Sequence, residues 1–206
     1  MSPHEVVRAI TDSGIVAIVR ADGAKPAVEL ARRLWSAGTP VVEIALTTPN
    51  GIDAIAELAA EVPDGCVLGA GTVLDAATAR MAILAGARLL VTPTLDEGVI
   101  STAQRYGAAT VIGTATPTEM VRAQTLGADL VKVFPASQWT PKTLADVLQA
   151  LPQLRCVPTG GIAPEQAADW IRAGAVAVGL GSGLTKGDDP SATVAQLLES
   201  LRSARG

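Results

Sequence analysis

The stretch GADLVKVFPA (residues 127–136) opens with a glycine suited to close a helix, continues as a short apolar run and ends at a proline. Alternation along such a strand puts Lys132 and Phe134 on one face and Val131 and Val133 on the other. An unpaired ammonium among apolar neighbours costs several kcal/mol. Lys132 is therefore paired, reaches water, or has been made neutral and nucleophilic by burial. Seven further apolar runs of strand length accompany this one: GIVAIVR, VVEIAL, CVLGAGT, RLLVTP, ATVIGTA, RCVPTGG and AVAVGLGS.

Between the runs lie segments with helical spacing, such as Ile52, Ile55, Ala56, Ala59 and Ala167, Trp170, Ile171, Gly174, each at i, i+3, i+4, i+7. Several helices are entered through a proline fitted to the first turn (Pro26, Pro117, Pro141, Pro164). They are left through a glycine fitted to a left-handed cap (Gly38, Gly107, Gly127, Gly174). Eight strand-then-helix units with near-continuous apolar strands predict an α/β fold, a parallel sheet closed into a (β/α)8 TIM barrel, with a short helix over residues 3–12 in front. An open doubly wound sheet is the alternative, but eight similar units without a long insertion fit closure better.

At 206 residues the sequence fits one domain over residues 1–206, with no change of composition that would mark a linker. Hydrophobic residues make up 49% and aromatics 2%, so the core is built from Ala, Val, Ile and Leu. A net charge of -4 offers no footprint for nucleic acid or an anionic membrane, and an anionic substrate needs a local positive site. Cys66 and Cys156 both lie in apolar runs and the N-terminus lacks the apolar core of a signal peptide. A cytoplasmic protein with reduced thiols is expected. No apolar run reaches the ~20 residues that span a bilayer.

In a barrel of this kind, chemistry sits at the C-terminal ends of the strands. Those ends carry Arg20, Glu43 with Thr47 and Thr48, Thr72, Thr92 and Pro93, Thr114, Lys132 with Phe134, Thr159 to Gly161, and Gly181 to Ser182. Alternation groups Glu43, Ala45 and Thr47 on one face of the second strand, so Glu43 is placed to share the interior with Lys132. The two can form a structural ion pair or an acid/base and nucleophile pair, and their place at the strand ends favours the second. Arg20 fits a solvated cation as well as a ligand for an anion, and Phe134 fits a packing role. His4 is the only histidine and lies in the first helix, which argues against a Ser/His or Cys/His nucleophile and against a zinc site. PTGGI after the seventh strand and GLGSG after the eighth put paired glycines where this fold often holds phosphate on backbone N–H groups. GAGT after the third strand suggests close backbone approach and one hydroxyl.

The combination of VVEIALTTP, LGAGTVL, VTPTLDEGVI, GTATPTE, GADLVKVFPA, PTGGIAPE and VGLGS, spread over residues 5–185, resembles the class I 2-keto-3-deoxy-6-phosphogluconate (KDPG) aldolases. It also resembles the related 2-keto-3-deoxy-6-phosphogalactonate and 4-hydroxy-2-oxoglutarate aldolases. The resemblance implies that Lys132 forms a Schiff base and Glu43 is the acid/base, without a cofactor or metal. It implies that Arg20, Thr47, Thr72, Pro93, Phe134 and Thr159 surround the substrate and that Gly160, Gly161, Gly181 and Ser182 receive its phosphate. It further implies a homotrimer, with pyruvate and a phosphorylated keto acid as ligands. Many gluconate-type members carry arginine where this chain has Thr47, which leaves Arg20 as the main cation for the carboxylate. Two other classes fit a phosphate-binding barrel: an isomerase or epimerase that needs no covalent intermediate, and a non-catalytic oligomeric module.

Overall fold

The computed structural model describes residues 1–185 and 190–205. Strand and helix alternate through it: α1 (Pro3–Ser13), β1 (Ile15–Val19), α2 (Ala24–Ser36), β2 (Val41–Ala45), α3 (Gly51–Ala59), β3 (Val67–Gly71), α4 (Ala76–Ala85) and β4 (Leu89–Val91). There follow α5 (Glu97–Tyr106), β5 (Ala109–Thr114), α6 (Pro117–Thr125), β6 (Leu130–Val133), α7 (Pro141–Ala150), β7 (Cys156–Pro158), α8 (Ala167–Arg172), β8 (Val178–Leu180), α9 (Ser182–Thr185) and α10 (Ser191–Ser203). All eight strands are parallel, in the order β7-β6-β5-β4-β3-β2-β1-β8. A parallel bridge between Thr159 and Gly179, and the Val176 N–H donating to the Cys156 carbonyl at 3.0 Å, join β7 to β8. The sheet thus closes on itself as the TIM barrel expected, and the open doubly wound alternative falls.

Two cores hold the barrel. The outer one packs strand residues such as Val42, Ile44, Val131 and Val133 against Leu34, Ile55, Leu58 and Met120 of the helices. The inner one gathers Val41, Val67, Leu89, Val111 and Leu130 inside the barrel with Val6, Val7 and Ile10 of α1. Helix α1 therefore plugs the N-terminal end. Its start is set by a capping box, the Ser2 hydroxyl accepting from the Glu5 N–H while the Glu5 carboxylate accepts from the Ser2 N–H, with Pro3 in the first turn. Each fully buried Val, Leu or Ile contributes about 1.5–3 kcal/mol, which is how a core almost free of aromatics suffices.

Three local expectations need correction. The buried stripe of α3 is Gly51, Ala54, Ile55 and Leu58, with Ala56 and Ala59 exposed, because Leu58 outweighs two alanines in fixing which face turns inward. Pro164 opens a 3-10 turn (Pro164–Gln166), and α8 begins only at Ala167. The second strand stops at Ala45, where the Thr48 N–H donates to the Ala45 carbonyl at 2.9 Å and turns the chain. Alternation therefore does not extend to Thr47. No helix among the described residues is long and apolar enough to cross a membrane.

Candidate active site

The C-terminal strand ends surround a cavity of about 680 Å³. Arg20, Glu43, Thr72, Pro93, Lys132, Phe134, Thr159, Gly160, Gly161, Gly181 and Ser182 all line it. Of the residues expected in the site, Thr47 alone is not part of this wall. Its hydroxyl instead accepts from Arg20 Nε at 3.0 Å, so it touches the site through the arginine. Sequence reasoning missed Ile18, Ile162 and Gly179, which also border the cavity. Ile18 and Gly179 stand two residues before Arg20 and Gly181, so the same alternation would have found them.

Lys132 and Glu43 share the inner face because each follows, by two residues, a residue of the inner core: Leu130 on β6 and Val41 on β2. Both are almost fully enclosed, Lys132 at 5% and Glu43 at 2% exposure. Burial lowers the pKa of the Lys132 ammonium; Glu43 opposes this shift and Arg20 adds to it. Burial also pushes the Glu43 carboxyl up to about 7, against the pull of Lys132 and Arg20. The ion pairs among the described residues lie on the surface, as in Arg32–Glu57 and Lys142–Asp146, and none joins Lys132 to Glu43. Lys132 Nζ instead lies 4.7 Å from the Phe134 ring centroid, a favourable place for a cation. Glu43 Oε2 is buried without a hydrogen-bond partner. An amine biased toward neutrality and a carboxyl able to hold or release a proton near neutral pH thus face one cavity without neutralising each other at contact.

Neighbouring backbone fixes these groups. Gly71 at the end of β3 leaves the space in which the Glu43 side chain lies, since a Cβ there would overlap Oε1 and come within 2.8 Å of Cδ. The close approach expected of GAGT is this one. Thr72, next in the chain, has φ 60, a left-handed conformation that is rare for a β-branched residue and collects at functional sites. The Thr92 hydroxyl accepts from the Gly113 N–H at 2.8 Å and donates to the Thr94 carbonyl at 2.6 Å, which anchors the turn carrying Pro93.

On the opposite side, Gly160 and Gly161 have φ 92 and 80, and a Cβ on Gly161 would come within 2.9 Å of Ser137 Cβ. The Ser137 N–H donates to the Gly160 carbonyl at 3.0 Å and the Ala136 N–H to the Thr159 carbonyl at 2.8 Å, pinning the β7 loop to the β6 loop. The amides of Gly161 and Ile162 donate to no protein acceptor among the described residues, and both residues border the cavity. Cys156 is buried with its thiol pushed up to about 12 by burial, and neither it nor Cys66 borders the cavity. Among the described residues no three His, Cys, Asp or Glu side chains are grouped as metal ligands.

Residues 6–196 match the profile of the aldolase family described as KDPG and KHG aldolase. The chain is 34% identical over 173 residues to the probable 2-dehydro-3-deoxy-6-phosphogalactonate aldolase of Rhizobium meliloti (strain 1021), covering 84% of this chain and 82% of that protein. It is 34% identical over 171 residues to the 2-dehydro-3-deoxy-6-phosphogalactonate aldolase of Escherichia coli (strain K12), covering 82% of this chain and 83% of that one. The crystal structure of the 2-keto-3-deoxy-6-phosphogluconate aldolase of Zymomonas mobilis ZM4 with 3-phosphoglycerate superposes with a TM-score of 0.82 at 28% identity, over 95% of this chain and 94% of that one. Matched by the family profile along nearly its whole length and by curated relatives at 34% identity, the chain belongs to the KDPG and KHG aldolase family.

Proposed function

We propose that the chain is a Schiff-base aldolase, acting as one domain, that cleaves 2-keto-3-deoxy-6-phosphogluconate or its C4 epimer, the phosphogalactonate, to pyruvate and glyceraldehyde 3-phosphate. The observation that carries this reading is the burial of Lys132 and Glu43 in one cavity without an ion pair between them. The neutral Lys132 amine attacks the C2 ketone and gives a carbinolamine, which loses water to form an iminium. Glu43 takes the proton of the C4 hydroxyl as the C3–C4 bond breaks; the bond's electrons pass into the iminium, leaving an enamine, and C4 leaves as the aldehyde. Protonation of the enamine at C3 and hydrolysis return pyruvate and the free amine. Glu43 is suited to both directions of transfer because its carboxyl is held near pH 7. The Phe134 ring beside Nζ favours the cationic iminium.

Arg20 and Thr72 hold the carboxylate, with Pro93 and Thr159 as walls, and the amides of the Gly160–Gly161 loop with Gly181 and Ser182 hold the phosphate. Binding at both ends orients the bond that breaks. Exposed Leu74, Met81 and Leu84, at 56%, 55% and 68%, give an apolar face beside and along α4 that supports assembly as a homotrimer. Two cysteines without a disulfide fit a cytoplasmic setting. A coupled assay for pyruvate release from each C4 epimer tests the function. Cleavage of both, with discrimination below about 10³-fold, is the expected result; no release from either would refute the reading.

A further inference from the structure

We propose that Thr47, backed by Thr48, is a positioning residue that commits Arg20 to the carboxylate end of the substrate. The inference rests on the aldolase reading above. Strand β1 lies between β2 and β8, so Arg20, just past its end, stands between two possible anion sites. On one side is the region of Thr72, beyond β2; on the other is the Gly181–Ser182 loop that follows β8. An exposed arginine on its flexible stem can lean toward either. Two consecutive threonines in the turn after β2 remove that freedom. The Thr47 hydroxyl accepts from Arg20 Nε at 3.0 Å, and the buried Thr48 hydroxyl accepts from the Ala21 N–H at 3.3 Å, fixing the backbone next to Arg20. The guanidinium is thereby drawn to the β2 side. With the Nε donor used, the terminal Nη groups remain as the fork that a planar carboxylate accepts in bidentate fashion.

The test follows borohydride trapping of pyruvate as a function of pyruvate concentration in Thr47→Val, Thr47→Ser and Arg20→Ala proteins and in the Thr47→Val/Arg20→Ala double variant. Position 47 is exposed, so valine, which keeps the shape and loses the acceptor, does not threaten folding. Thr47→Val is expected to raise the half-saturating pyruvate concentration about fivefold, the scale of one exposed hydrogen bond, with the maximal trapping rate within about twofold of wild type. Thr47→Ser should recover the affinity to within about twofold. In the Arg20→Ala background the valine should add nothing, because Thr47 acts through the arginine. Unchanged affinity in Thr47→Val, or the same fivefold loss without Arg20, overturns the proposal while leaving the aldolase reading intact. A loss confined to phosphorylated keto acid, with pyruvate and 4-hydroxy-2-oxoglutarate unaffected, overturns it by assigning Arg20 to the phosphate. Wild-type protein that traps no pyruvate would overturn the aldolase reading and this proposal with it.

Discussion

Replacing Gly71 by alanine changes one hydrogen to a methyl group and touches no substrate, yet it should disable proton transfer. The added Cβ would overlap Glu43 Oε1 and lie 2.8 Å from Cδ, where ordinary contact begins at 3.4 Å. The carboxyl must retreat by about 0.6 Å at Cδ and further at Oε1. Glu43 borders the cavity while β2 is buried along its whole length, so the carboxyl gives way into the cavity, off its present position. Overpacking of this kind costs about 1–3 kcal/mol of stability. A displacement approaching 1 Å in a catalytic group costs roughly 10²-fold in rate. Exchange of the pyruvate methyl protons with solvent deuterium, followed by NMR, reads the Glu43 step directly. Borohydride trapping reads the Lys132 step. Gly71→Ala should lose about 10²-fold in exchange while still trapping pyruvate at saturation. Wild-type exchange in a folded Gly71→Ala protein would refute the placement of Glu43 as the proton-transfer group.

Other consequences can be measured on the same protein. The folded Glu43 carboxyl titrates at about 7 against an ordinary 4.5, so between those pH values the folded state keeps a proton that the unfolded state has lost. Its stabilising contribution is complete below pH 4.5 and is lost as pH rises through about 7; the melting temperature of Glu43→Gln should therefore gain on wild type across that window, and parallel profiles would contradict this. Arg20→Ala should cost about 2–3 kcal/mol in kcat/KM, the scale of a charge-assisted hydrogen bond, and near-normal pyruvate affinity in that variant would contradict the carboxylate role. Gly161→Asp puts a negative group at a loop that borders the cavity. It should raise KM for the phosphorylated substrate while sparing pyruvate trapping, and equal loss toward 4-hydroxy-2-oxoglutarate would point to a damaged fold.

The barrel was legible because its signals are local. Apolar runs of strand length, prolines in first turns and left-handed glycines such as Gly107 at φ 71 repeat along the chain and need no knowledge of distant partners. Lys132 and Glu43 were legible as inward groups because alternation holds within a strand. Thr47 was not, since the end of β2 is decided by the turn bond from Thr48 to Ala45. The role of Gly71 was only half visible. A strand glycine announces a close approach, but that Glu43 fills the space follows from the register in which Ala45 pairs with Gly71 and Glu43 with Gly69. Likewise α1 was plain as a helix, whereas its insertion into the barrel bottom depends on the inner ring of Val41, Val67, Leu89 and Leu130 that receives it.

The proposed mechanism stands on covalent attachment of Lys132 to the keto acid. Sodium borohydride added with pyruvate reduces the iminium to a stable secondary amine, and peptide mass spectrometry locates it. A Schiff base on Lys132 gives one pyruvate-derived adduct, on the peptide carrying Lys132, with cleavage activity lost in proportion. Label on Lys25, on Lys142, or on Lys186, which lies outside the described residues, or no adduct in an enzyme that cleaves its substrate, would contradict it.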